Sequence, residues 1–202
     1  MLTPRTCQRG FSLIELMVAL VIVSLLLIAG APSFSAFLQN RKIRNAADAV
    51  YSGLNMAKAE AVRRNTSVVF SLTGGSTAWT VGCANQTGIM VPGLNVDTCP
   101  AVIQSYSVSS SDANIQITAS TSGGTAVAAP VTVAFNGYGQ VPASLANGSL
   151  YLDFANTQGS CISNGGTMRC LRVIVSAGGQ MRTCDPSAPA NTPTSVTNVQ
   201  AC

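Results

Sequence analysis

Residues 10–31 read GFSLIELMVALVIVSLLLIAGA, an apolar run interrupted by one carboxylate, Glu15. From Phe11 to Ala31 it covers 21 residues, which as a helix rise about 31 Å, close to the hydrocarbon thickness of a bilayer. Arg5 and Arg9 precede it, so the positive-inside rule keeps the N-terminus in the cytoplasm and exports the remainder. A secretory signal peptide cut at Ala29-Gly30-Ala31 is the alternative. It fits less well, because the run is longer than an ordinary signal core and gains nothing from Glu15. A carboxylate in hydrocarbon costs on the order of 2.5–3.5 kcal/mol, and the span contains no Lys or Arg to partner it. Cleavage between Gly10 and Phe11 would create a partner. The α-amino group of Phe11 would lie one helical turn from Glu15, and in a bundle one subunit's Glu15 would neutralise its neighbour's amine.

Pro32 follows the run and is expected to bend the chain. Apolar residues then recur at helical spacing: Phe34, Phe37, Leu38, Ala46, Val50, Leu54, Ala57 and Ala61. Arg41, Lys42, Arg44, Lys58, Arg63 and Arg64 fall largely off that stripe. Helix is expected as far as Arg64, with Asn65 as the stop and Glu60–Arg64 as an i,i+4 pair. Beyond it the chain reads as strands over 67–72, 78–81, 103–110, 114–119, 131–135, 150–154 and 171–176, with Gly and Asn clusters between them. Trp79 is expected in the sheet core, and 185–200 is irregular by composition. The fold class is therefore α+β, a lollipop in which a long N-terminal helix packs on an antiparallel sheet. Its segments are a leader (1–10), a transmembrane half-helix (11–31), an amphipathic half-helix (32–65) and a β-rich domain (66–202).

Only 9% of the 202 residues are charged, and there is no histidine. No Lys or Arg occurs between Arg64 and Arg169, whereas Asp97, Asp112 and Asp153 do. That distribution speaks against a broad basic face for nucleic acid and leaves room for a small local basic site. Without histidine there is no Ser-His or Cys-His dyad, and no phosphate-cradling loop appears. The chain reads as a non-enzyme with no cofactor. Six cysteines follow the apolar run: Cys83, Cys99, Cys161, Cys170, Cys184 and Cys202. An even set beyond a membrane segment points to three disulfides in an oxidising compartment rather than to a metal. Six cysteines allow 15 connectivities. Sequential pairing is expected because each successive pair brackets a short polar loop.

The run Gly10-Phe11-Ser12-Leu13-Ile14-Glu15 after a short basic leader resembles the type IV prepilin signature. That resemblance implies cleavage after Gly10 by prepilin peptidase, N-methylation of Phe11, and assembly of the apolar helices into a filament core with Glu15 as the assembly determinant. Ala57-Lys58-Ala59-Glu60-Ala61-Val62-Arg63-Arg64-Asn65, running into a Val-Val-Phe strand, and Phe135-Asn136-Gly137-Tyr138-Gly139 resemble the FimT/FimU–GspH group of minor pilins and pseudopilins. The resemblance implies a minor pilin in the bacterial inner membrane with a periplasmic domain, later in the fibre or at its tip. It would help initiate or cap pilus assembly, with major and minor pilins as partners.

Two other roles come with the same group: a GspH-type pseudopilin of type II secretion, and a DNA-binding minor pilin for natural transformation. Members that bind DNA carry Gly-Arg-x-Arg near a cysteine. Here Gly179 and Arg182 match, but Gln180 stands in the first arginine's place and cannot release a phosphate counterion. Arg169, Arg172, Gln180 and Arg182 are the candidate contacts to extracellular DNA, against the plainer reading of Arg182 as a solvated charge beside a disulfide.

Overall fold

Helix α1 runs Leu13–Arg64. It belongs to two compact units: one ends at Leu38, and the other is Gln39–Cys202. The computed structural model describes residues 11–85, 87–91, 94–108, 113–141, 148–188 and 201–202, without the side chains of 29–33, 87–91 and 94–98. The leader with Gly10, the acid Asp112 and residues 189–200 lie outside these. Of the first unit the described apolar side chains are exposed on every side of the helix, from Leu13 to Ile28. Such a surface calls for an apolar surround.

In the second unit α1 buries one stripe: Ile43, Ala46, Ala47, Val50, Leu54, Ala57 and Ala61. The spacing is the 3.6-residue period, and four of the seven are alanine, which brings the helix close to the strands. The helix ends in a Schellman motif. Asn65 takes a left-handed conformation (φ 49°), its N–H donates to Val62 O (3.2 Å), and Thr66 N–H donates to Ala61 O (3.2 Å). Asparagine is the side-chain-bearing residue best suited to that position.

The strands are β1 (Val68–Leu72), β2 (Trp79–Cys83), β3 (Thr87–Val91), β4 (Leu94–Cys99), β5 (Gln104–Tyr106), β6 (Ile115–Thr121), β7 (Ala126–Val127), β8 (Val131–Phe135), β9 (Ser149–Asn156), β10 (Leu171–Ser176) and β11 (Met181–Cys184). They form antiparallel sheets ordered β5-β2-β1-β8 and β11-β10-β9-β6-β7, with β3-β4 as a separate hairpin. Alternation does the sorting. Val68, Phe70 and Leu72 of β1, Leu150, Leu152 and Phe154 of β9, and Val173 and Val175 of β10 all join the helix stripe in one core.

The architecture is α+β with the long helix on antiparallel sheets. Four strands were not expected from the sequence. β3 (Thr-Gly-Ile-Met-Val) has Gly88 and no apolar alternation; β4 alternates only over Leu94-Asn95-Val96-Asp97; β7 has two residues; β11 (Met-Arg-Thr-Cys) has no alternating pattern. The stretch read as a strand over 103–110 is a strand only at Gln104–Tyr106, and 109–110 lie outside the described residues.

Candidate functional site

Two regions carry chemistry that packing does not require: the start of α1 and the cations of the second unit. At the start, Ser12 Oγ accepts the Glu15 backbone N–H (3.2 Å). Ser-x-x-Glu is thus half of a capping box, and a carboxylate in the first turn also suits the helix dipole. Further along, the Ser24 hydroxyl donates to Val21 O (2.8 Å). Among the described residues, the Glu15 carboxylate then stands as the polar group of the apolar run without a hydrogen bond or ion pair. Phe11 is 83% exposed, while Gly10 lies outside the described residues. Among the described residues no helix is long and apolar enough to cross a membrane.

The cations are differently placed. Glu60 accepts from Arg63 Nη2 and Arg64 Nε, each at 2.7 Å. The Arg63 hydrogen bond holds the Glu60 carboxyl below its ordinary range, against burial, and Arg64 adds to it. Arg172 makes a two-pronged pair with Asp153 (Nε–Oδ1 2.7 Å, Nη2–Oδ2 3.0 Å). These two face each other across the β10–β9 register, and the guanidinium lies 4.9 Å from the centre of the Tyr151 ring. Hydrogen bonding to Asp153 raises the Arg172 pKa further.

Arg182, on β11, opposes Ile174 and donates to the Cys202 carbonyl (3.3 Å). It therefore shares a sheet face with Arg172, two register positions away. Arg169 is elsewhere: its backbone N–H donates to Asn40 Oδ1 (2.8 Å), at the opening of the second unit's helix. Gln180 is exposed in the β10–β11 turn, where Gly179 has φ +74° and a Cβ would fall on the Gly139 carbonyl. The Gly179 carbonyl accepts from Lys58 Nζ (2.8 Å). Packing against the helix and the preceding turn is what requires Gly179.

The cysteines pair sequentially, as Cys83–Cys99, Cys161–Cys170 and Cys184–Cys202. The second staples the β9–β10 connection, whose ends are tied to the helix by Asn156 Nδ2 to Gln39 Oε1 (2.5 Å) and by the Arg169–Asn40 bond. The third fixes Cys202 beside β11, where Asp185 bridges Ala201. Among the described residues no cluster of His, Cys, Asp and Glu would hold a metal ion.

Sequence reasoning missed Gln39, Asn40, Asn156 and Gly53, since each acts only through a partner far away in the chain. Gly53 alone had a signal: a glycine inside an otherwise unbroken helical pattern.

The sequence profile of the family described as type II transport protein GspH matches residues 46–179, and that of the prokaryotic N-terminal methylation motif matches residues 5–31. No curated protein matches. Two crystal structures of the Pseudomonas aeruginosa (strain PAO1) type IV minor pilin FimU are similar. In space group P21 the identity is 14% and the TM-score 0.45, over 75% of this chain and 98% of that one. In space group P65 the values are 12% and 0.44, over 72% and 98%.

Proposed function

Because the chain belongs to the GspH family of minor pilins and pseudopilins and carries the N-terminal methylation motif, we propose that it is a minor pilin that initiates or caps a type IV pilus. Prepilin peptidase cuts it after Gly10, Phe11 is N-methylated, and residues 11–31 hold it in the inner membrane with the remainder in the periplasm until it is taken into the fibre. The observation that carries this reading is the exposed apolar surface of Leu13–Ile28, interrupted by one unpartnered carboxylate at Glu15. Burial among other such helices satisfies both features. The apolar surface finds neighbours, and the acid finds a neighbour's amine. The family is a structural one, and its subunits assemble with other pilins.

The DNA-receptor reading draws no support from the geometry. Asp153 neutralises Arg172, Gln180 stands in the arginine's place, and Arg169 sits at the Asn40 end, so around the Gly179–Arg182 turn little charge remains for counterion release. The secretion pseudopilin shares every feature given above. Deleting the gene separates the two: loss of surface pili with intact export of secreted enzymes is expected. Lost export with normal pili would assign the chain to type II secretion instead.

A further inference from the structure

Near its C-terminal end α1 presents an open depression lined by Asn55, Lys58, Ala59, Val62 and Arg63. Beside it stands Tyr138, 86% exposed, at the tip of the turn after β8. That turn is rigid. Asn136 Oδ1 accepts from both Tyr138 N–H (3.0 Å) and Gln140 N–H (2.9 Å). A Cβ at Gly139 would lie 3.2 Å from Val62 Cγ2, and one at Gly137 would lie 2.5 Å from Asn65 Oδ1, so turn and helix end touch directly. Val62 is itself half exposed. An exposed aromatic on a hydrogen-bonded turn beside an exposed aliphatic, rimmed by cations, has the composition of a binding hot spot.

Charge decides what it fits. Around the depression Lys58, Arg63 and Arg64 face the one acid Glu60, and neither the 136–140 turn nor the 177–180 turn contains an acid. At the other end of this unit, about 35 Å away along the helix, Lys42, Arg44 and Arg169 stand against Asp48; the Arg169 bond to Asn40 places that arginine there. Among the described residues both ends are therefore cationic. Stacking one copy on another would oppose like charges, which is how wrong partners are rejected.

We propose that the Tyr138–Val62 surface docks the carboxylate-bearing surface of a different pilin subunit, and that the cationic end of Lys42, Arg44 and Arg169 keeps a second copy of this chain from taking that place. The proposal rests on the assembly function above. Tyr138 supplies the buried anchor, while Lys58 and Arg63 meet the partner's acids.

The test is photocrosslinking in cells, using the full chain with Tyr138→p-benzoylphenylalanine and mass spectrometry of the adduct. The expected product is an adduct to another methylated pilin subunit at an Asp- or Glu-bearing peptide. Its yield should fall about tenfold with Arg63→Glu and be retained with Arg63→Lys. Arg63 is exposed, so an unchanged melting temperature shows that the fold survives. A self-adduct would overturn the proposal, as would an adduct indifferent to Arg63→Glu. If the chain is incorporated into pili yet gives no adduct, the docking surface is refuted and the assembly function stands. If it is not incorporated at all, both fail.

Discussion

Replacing Gly53 by valine is expected to lower the melting temperature of the protein by on the order of 10 °C. Intrinsic propensity argues the other way, since glycine in a helix interior is worse than alanine by roughly 0.5–1 kcal/mol. The packing outweighs it. A Cβ at Gly53 would lie 2.7 Å from Trp79 Cε2 and 2.8 Å from Phe70 Cε2. Neither ring can retreat: Phe70 is fully buried, Trp79 is 6% exposed, and Trp79 stacks on Tyr106 with centroids 5.9 Å apart. Overpacking of this kind costs about 1–3 kcal/mol for the first carbon, and valine adds two more. For a unit of this size each kcal/mol shifts the melting temperature by about 2–4 °C. Gly53→Ala should give a smaller fall, because propensity offsets part of the clash. A rise with alanine, measured by thermal unfolding of the detergent-solubilised chain, would show that the helix does not approach Trp79 as described.

The second large effect belongs to Glu15. Glu15→Ala is expected to leave the protein stable in the membrane and to reduce the fraction recovered in sheared pili by a hundredfold or more. Membrane residence should if anything improve, since a carboxylate costs on the order of 2.5–3.5 kcal/mol there. Assembly should suffer because one partner of a buried ion pair is removed, a loss of about 3–5 kcal/mol, and each 1.4 kcal/mol is tenfold. The Ser12 cap offers a rival explanation with a different magnitude. Its hydrogen bond is to the Glu15 backbone N–H and survives substitution. The dipole contribution of the acid is only about 0.3–1 kcal/mol. Immunoblots of pilus and membrane fractions decide: a loss of fivefold or less leaves Glu15 as a helix-capping residue, and Glu15→Gln should be as defective as Glu15→Ala.

What could be read from the chain was what local chemistry sets. The helical period brought out Ala46, Val50, Leu54, Ala57 and Ala61, and Asn65 marked the end because few residues tolerate its backbone angles. Regular alternation gave β1, β8 and β10. Short polar loops gave the sequential cysteine pairing that the structure has. What could not be read depends on register. Arg172 and Asp153 are 19 residues apart in sequence and become partners only through the β9–β10 ladder, so a candidate DNA contact turned into an internal ion pair. Gly179 matched a motif, yet its conformation answers to Gly139 and Lys58, which only the packed turns bring together. β3 and β11 lack an apolar alternation and β4 alternates over only four residues; each is held as a strand by its antiparallel partner, β3 with β4 and β11 with β10.

The most direct test is intact-mass and N-terminal peptide analysis of the mature protein recovered from membranes. The expected result is a chain beginning at Phe11 and carrying one methyl group on its amine. A chain that begins at Met1, or within 29–32 as a signal-peptide cut would leave it, would deprive Glu15 of its neighbouring amine and contradict the filament account.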